Sequence, residues 1–126
     1  MGGRGASSGA KPLPNGKPLP NGKHAEIARN KLKNYLLNPS KSPGKAKFFN
    51  SLGYNMRNFR RLESDIRKEL KTAPAVSRIE NRYGHTVTAY EVTMPLGINR
   101  KAMVLTAWQR DEGSKIPRFI TAYPDK

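Results

Sequence analysis

The sequence of 126 residues contains no cysteine and only two histidines, His24 and His85. Disulfide bonds, thiolate chemistry and cysteine-based zinc sites are therefore excluded. Two histidines far apart in the chain do not predict a structural metal site. The nine carboxylates are scattered rather than paired for magnesium. We therefore expect a protein without a metal ion or another cofactor.

Long apolar runs are also absent, since no stretch approaches the ~20 residues that a membrane-spanning helix needs. No apolar segment typical of a signal peptide follows Met1. These observations predict a protein of the aqueous cytoplasm that has no membrane partner.

Acidic residues are scarce, because 9 Asp and Glu stand against 24 Lys and Arg, which gives a net charge of +15. A charge of this size attracts polyanions and accelerates association with them. The charge therefore predicts nucleic acid as the partner, with simple solubility as the alternative explanation.

The first 23 residues are rich in glycine and proline and repeat the segment Lys-Pro-Leu-Pro-Asn-Gly at 11–16 and 17–22. Proline interrupts the hydrogen bonding of helices and sheets, and Asn-Gly favours turns. We therefore expect residues 1–23 to form a flexible tail that folding does not need, and residues 24–126 to form a single domain. That domain holds 20 Lys and Arg against 9 Asp and Glu, a net charge of about +11.

Apolar periodicity predicts an α+β fold in which about three helices precede a small antiparallel sheet of three to four strands. The expected helices are 24–37, 43–52 and 56–71. The expected strands are 85–94, 100–110 and 116–123, with 75–79 as a further edge strand. The apolar residues expected in the core are Ile27, Leu32, Leu36, Phe48, Leu52, Phe59, Leu62, Ile66, Leu70, Val92, Met103, Leu105 and Ile120.

Alternation within the last two predicted strands separates an apolar face from a polar face. The face expected to pack on the helices carries Met103, Leu105, Ala107, Ile120 and Ala122. The face expected to stay open carries Thr106, Trp108, Thr121 and Tyr123. Strict alternation places Arg118 with the apolar residues, unless Pro117 bends the start of the strand. An open surface of aromatic, hydroxyl and cationic groups suits RNA binding or RNA cleavage.

The segment 117–123 is the strongest candidate site in the sequence. The guanidinium of Arg118 can hold a phosphate through two parallel hydrogen bonds. Thr121 can donate a hydrogen bond to a phosphate oxygen, and Tyr123 can stack on a base or transfer a proton. The alternative is that Phe119 and Tyr123 pack in a second small core while Arg118 extends to solvent.

Further candidates lie outside this segment. His85, at the start of the first predicted strand, can carry a proton at neutral pH, or it is an ordinary surface histidine. Lys45 and Lys47 begin the second helix, where a cation and the free N–H groups of a helix start favour phosphate, or they form a solvated face. Thr106, Trp108 and Arg100 complete the expected RNA-binding set.

Several short motifs stand in the order found in a known family. They are Lys31-Leu32, Tyr35 to Pro39, Gly44 to Phe49, Leu52-Gly53-Tyr54, Trp108, Pro117-Arg118 and Thr121-Ala122-Tyr123. Over residues 30–124 the chain resembles a module found at the C-termini of polymorphic bacterial toxins and of phage head-morphogenesis proteins. The resemblance implies the helices-then-sheet (BECR) fold of barnase, EndoU, colicin-type tRNases and RelE. Those proteins are small metal-independent RNases with active sites on the open face of the sheet.

The resemblance implies an endoribonuclease toxin that cleaves RNA, with tRNA as one candidate, in the cytoplasm of the producing or target cell. It implies a cognate immunity protein as a second partner. The 2′-hydroxyl would attack the adjacent phosphate, with Arg118 and Lys45 or Lys47 stabilising charge beside Thr121 and with Tyr123 or His85 moving protons. The chain departs from a two-histidine mechanism, because it has no second well-placed histidine and no evident glutamate base.

The sequence is also compatible with two hypotheses that involve no catalysis. In the first, the chain is a nucleic-acid-binding protein of a phage or mobile element, and this hypothesis explains the charge and the aromatic residues as well as the nuclease hypothesis does. In the second, the chain is a structural or adaptor module of a phage, and this hypothesis leaves the charge unexplained.

Overall fold

The computed structural model describes residues 11–12 and 16–125. The main helical elements precede the long strands of the sheet: a π-helical turn Lys31–Leu36, α1 Pro43–Leu52 and α2 Phe59–Leu70. Five strands form one sheet: β1 Lys11–Pro12, β2 Ala75–Arg82, β3 His85–Leu96, β4 Ala102–Arg110 and β5 Arg118–Pro124. All neighbouring strands are antiparallel and follow the order β1-β2-β3-β4-β5. The predicted α+β class with helices before the sheet is confirmed.

The second and third predicted helices form where their end signals lie. Pro43 occupies the first turn of α1, and Gly53 ends that helix at a φ of 107°. The side chain of Asn55 accepts hydrogen bonds from the N–H groups of Arg57 and Asn58, which caps the short 3₁₀ turn that leads into α2.

The first predicted helix is wrong over its N-terminal half. Residues 25–27 run beside the start of β5 instead, because the N–H of Glu26 donates to the carbonyl of Pro117 and the N–H of Phe119 donates to the carbonyl of Glu26. These bonds replace helical ones and allow Ala25 and Ile27 to be buried from an extended chain.

The core lies between α2, the π-helical turn and one face of the sheet. Leu62, Ile66 and Leu70 supply the stripe of α2. The sheet residues in this core are Ala75, Tyr90, Val92, Met94, Leu96, Val104, Trp108, Phe119 and Ala122. On α1 the fully buried aromatic ring belongs to Phe49, whereas the predicted Phe48 is only partly buried beside it.

The predicted tail boundary at residue 23 is also wrong. Leu19 is 3% exposed and belongs to the core. The carbonyl of Lys17 accepts a hydrogen bond from the N–H of Ala75, and Pro18 bridges to Pro74. The prediction failed because a high Gly and Pro content argues against a helix or a strand in the segment. It carries no information about whether the segment packs on the rest of the domain. Residues 1–10 and 13–15 of the predicted tail lie outside the described residues.

Within the described part of the chain, no helix is both long and apolar enough to cross a membrane.

Candidate functional site

A groove of about 580 Å³ lies on the face of the sheet that points away from the core. It is lined by Tyr83, His85, Val87, Gln109, Asp111, Glu112, Arg118 and Ile120. Val87 and Gln109 belong to this face because alternation along β3 and β4 sends Tyr90 and Trp108 to the core side. We call this the open-face groove.

His85 and Glu112 meet at one end of the open-face groove. His85 begins β3, and Glu112 lies in the turn between β4 and β5. The His85 Nδ1 and Glu112 Oε1 atoms are 3.4 Å apart, and both side chains are well exposed, at 70% and 62%. A carboxylate can accept a proton and an imidazolium can donate one. The pair can therefore serve as a general base and a general acid within reach of a ligand from solvent.

Arg118 is held in the same groove by an acidic partner. Its Nε donates to Asp111 Oδ2 at 3.1 Å and its Nη2 donates to Asp111 Oδ1 at 3.5 Å. Gln109 Nε2 also donates to Asp111 Oδ1, at 2.6 Å. The hydrogen bond from Arg118, supported by the one from Gln109, lowers the pKa of Asp111 below its ordinary value. Asp111 therefore stays ionised near neutral pH and orients the guanidinium.

A β-bulge explains how Arg118 reaches this face. Trp108 pairs with Phe119 and Ala107 pairs with Thr121, so Ile120 is an extra residue in β5. Phe119 and Ala122 consequently both point to the core, which strict alternation would forbid. The bulge reverses the alternation and leaves Arg118 on the open side, which the sequence pattern placed with the apolar residues.

A second groove, of about 520 Å³, lies along the edge of β5. It is lined by Asn30, Lys31, Tyr35, Lys45, Ile120 and Thr121. Lys45 Nζ donates to Thr121 Oγ1 at 2.9 Å and lies 5.3 Å from the centre of the Tyr35 ring. Lys31 Nζ donates to the Ile120 carbonyl at 3.3 Å. We call this the edge groove, and Ile120 lines both this groove and the open-face groove.

The predicted site residues are therefore divided between two adjoining grooves. His85 and Arg118 line the open-face groove, whereas Lys45 and Thr121 line the edge groove. Tyr123 is 36% exposed and lines neither groove, since it sits opposite Leu105 further along β5.

The prediction of Thr106 and Trp108 as exposed RNA-binding residues is wrong. They are 0% and 1% exposed, on the core side of β4. Trp108 Nε1 donates to Thr106 Oγ1, which donates to the carbonyl of Val92, so the polar atoms of both side chains have partners within the core. Met103, expected in the core, is instead 47% exposed. Both faces of β4 carry apolar residues, so the polarity of the strand does not reveal which face meets the helices.

Lys47 and Arg100 do not join either groove. Lys47 is exposed on α1 two residues beyond Lys45, and residues two apart point to different sides of a helix. Arg100 donates to the hydroxyl of Ser51 at 2.9 Å, at the turn between β3 and β4. The structure therefore does not bring Lys47 or Arg100 into either groove, and their roles in catalysis and RNA binding stay predictions.

Several lining residues were missed from the sequence. Asp111 and Glu112 lie between the predicted strands 100–110 and 116–123, and a turn between two strands of a hairpin also projects its side chains over the sheet. Lys31 and Tyr35 lie within the predicted helix 24–37. Their four-residue spacing, which places both side chains on one side of a helix, was the signal that pointed to a shared site.

The described residues contain no group of three or more His, Asp or Glu side chains that could hold a metal ion.

Comparison with known families identifies one match, over residues 18–126, to a family described as a domain of unknown function, DUF6883. Comparison with curated proteins gives no match. Comparison with solved structures gives none either. The match begins at Pro18, beside the buried Leu19, which agrees with a domain that starts before residue 24. Because the match spans most of the chain and all of the strands from β2 onward, the protein belongs to the DUF6883 family.

Proposed function

We propose that this domain is a small endoribonuclease that cleaves RNA without a metal ion in the open-face groove. The observation that carries the proposal is the presence of His85, Glu112 and Arg118 in one solvent-accessible groove. These three residue types supply a general acid, a general base and a fixed positive charge. That set is sufficient for a transesterification at phosphorus.

The proposed reaction uses the 2′-hydroxyl of the RNA as the nucleophile. The carboxylate of Glu112 takes the O2′ proton as the bond from O2′ to phosphorus forms. The imidazolium of His85 gives a proton to O5′ as the bond from phosphorus to O5′ breaks. The products are a 2′,3′-cyclic phosphate and a 5′-hydroxyl. Transfer of a proton from Glu112 to His85 across their 3.4 Å contact restores the starting state.

Arg118 stabilises the negative charge that develops on the phosphoryl oxygens. A guanidinium carries five N–H groups, and the two bonds to Asp111 leave others to contact a phosphate. Asp111 and Gln109 fix the orientation of the side chain before RNA binds, which lowers the cost of reorganisation during the reaction. Glu112 fills the role of the glutamate base that the sequence alone did not reveal.

The sharpest test follows cleavage of a short single-stranded RNA under single-turnover conditions with excess chelator. We expect cleavage to continue and to yield the cyclic phosphate. We expect Glu112→Gln and His85→Gln to slow it by roughly 100-fold or more, and Arg118→Gln by about 100-fold. His24→Gln is the matched control, because His24 is exposed at the 3₁₀ turn Gly22–His24 and lines neither groove. Parental rates in all three variants, or loss of cleavage with chelator alone, would contradict the proposal.

The proposed biological role is that of a toxin whose target is cellular RNA, with tRNA as one candidate and an immunity protein as a partner. The support for it is the resemblance of residues 30–124 to toxin modules. Expression of the parent in bacteria is expected to arrest growth, and expression of Glu112→Gln at equal protein level is expected not to. Equal growth of the two strains would contradict the proposed role as a toxin.

A non-catalytic RNA-binding protein is the second candidate. The edge groove favours it, because its two lysines and a tyrosine can bind RNA without any group in position for acid–base chemistry. If the protein binds RNA but leaves it intact in the cleavage assay, the result would favour this non-catalytic function.

A further inference from the structure

The two grooves differ in charge. In the open-face groove the carboxylates of Asp111 and Glu112 offset Arg118 and His85, so this groove carries little or no net positive charge. The edge groove contains two lysines and no carboxylate. Among the ion pairs of the described residues, none includes Lys31 or Lys45. The electrostatic attraction for a polyanion is therefore stronger in the edge groove than in the open-face groove, which holds the acid–base pair.

The two ammonium groups of the edge groove are held at adjacent points of β5. Lys31 binds the carbonyl of Ile120 and Lys45 binds the hydroxyl of the next residue, Thr121. Uncharged partners position the ammonium groups without neutralising them. A phosphate placed between them would receive charge-assisted hydrogen bonds from both, with the hydroxyl of Thr121 as a further donor.

Tyr35 supplies an aromatic surface beside these cations. Its side chain is 42% exposed, lines the groove and lies under the ammonium group of Lys45. An exposed ring next to a phosphate-binding position is the arrangement on which a base of a single strand stacks. Paired bases in a duplex are stacked on one another and do not offer a free face.

We propose that the edge groove is a nucleotide subsite for single-stranded RNA, in which Lys31, Lys45 and Thr121 hold a phosphate and Tyr35 stacks the base. The subsite rests on the proposed function in that RNA is the ligand. Because Ile120 lines both grooves, a strand held here would continue along β5 toward the open-face groove. The subsite therefore supplies the affinity that the nearly neutral open-face groove lacks.

Binding is measured by fluorescence anisotropy with a labelled octanucleotide whose sugars are all 2′-O-methylated. This probe has no 2′-hydroxyl and cannot be cleaved, so the result is independent of whether the protein is a nuclease. We expect Lys31→Gln and Lys45→Gln each to weaken binding by about fivefold or more. We expect Tyr35→Leu to weaken it by roughly 5- to 100-fold, the range for loss of one stacked base. Tyr35→Phe keeps the ring and is expected to bind within about twofold of the parent.

Lys47→Gln is the matched control, because it removes the same charge from the same helix outside the groove. A duplex of the same length is expected to bind more weakly than the single strand. The subsite is wrong if Lys45→Gln binds like Lys47→Gln, or if Tyr35→Leu binds like Tyr35→Phe. It is also wrong if duplex and single strand bind equally. Loss of binding in Lys45→Gln and Tyr35→Leu, with binding retained in Glu112→Gln, would support the subsite even for a protein that cleaves nothing.

Discussion

At the scale of the residue, Tyr54 links the helices to the turn between β3 and β4. Its side chain is fully buried, its hydroxyl donates to Asp65 Oδ2 at 2.6 Å, and it accepts from the N–H of Gly97 at 2.9 Å. Burial, reinforced by the bond to Asp65, raises the pKa of Tyr54 well above its ordinary value. The hydroxyl therefore keeps its proton and its role as a donor at neutral pH.

We expect Tyr54→Phe to lower the free energy of unfolding by about 1–3 kcal/mol. The substitution retains the ring but leaves the buried N–H of Gly97 without a partner and removes a donor from Asp65. Chemical denaturation at neutral pH measures the change. Tyr35→Phe is the control, because Tyr35 is exposed and its change should stay within about 0.5 kcal/mol. Equal stability of Tyr54→Phe and the parent would show that neither hydrogen bond stabilises the fold.

Asp111 provides a prediction about pH. Its pKa is lowered in the folded protein, chiefly by the hydrogen bond from Arg118. The stabilisation that this carboxylate contributes is therefore present above its ordinary pKa of 3.8, and it is lost as the pH falls through the lower folded value. Between pH 5 and 8 the ion pair stays intact, so it does not itself produce a pH dependence of activity in that range.

We expect Arg118→Gln to return the pKa of Asp111 toward its ordinary value of 3.8. Titration of the carboxyl carbon by NMR measures the shift, and unfolding curves at pH 7 and pH 3 measure its effect on stability. The two proteins should differ less in stability at pH 3 than at pH 7. A larger difference at pH 3 would mean that the ion pair does not produce the lowered pKa.

At the scale of the element, the segment before the first helical turn acts as part of the domain. Leu19 fills a place in the core, and the main chain at Lys17 pairs with the start of β2. The elements α1, α2, β3, β4 and β5 were predicted within a few residues from end signals and periodicity, which are local. Short segments stabilised by distant partners, such as residues 17–27, carry no such local signal.

Deletion of residues 1–16 and deletion of residues 1–23 are expected to differ in stability. The longer deletion removes Leu19, and loss of a buried leucine side chain costs about 2–5 kcal/mol. It also leaves the N–H of Ala75 without the carbonyl of Lys17. Thermal melts of the two truncated proteins measure the difference, and Leu19→Ala in the full chain isolates the side chain. Equal melting temperatures for all three proteins would show that residues 17–23 do not stabilise the domain, as the predicted boundary at residue 23 requires.

At the scale of the whole molecule, the net charge of about +11 over residues 24–126 sets the expected behaviour toward RNA. Affinity for a single strand should fall with salt, with a slope of log K against log salt of about −0.7 for each neutralised phosphate. We expect the double variant Lys31→Gln/Lys45→Gln, which loses the one phosphate that both lysines hold, to reduce the steepness by about 0.7 with the uncleavable probe. Lys47→Gln should leave the slope unchanged. If the affinity of the parent protein for RNA does not change with salt concentration, electrostatic attraction is not the source of binding.

The sequence by itself determined the fold class, the helices α1 and α2, and the strands β2 to β5, because apolar periodicity, capping residues and turn residues act locally. It also determined the basic character of the domain and singled out His85, Arg118, Lys45 and Thr121. Only the tertiary structure decided how these residues are divided between two grooves. The bulge at Ile120 reverses the alternation of β5, and the helices cover the face of β4 that carries Trp108. Both outcomes depend on contacts between elements far apart in the chain, so no local pattern could reveal them.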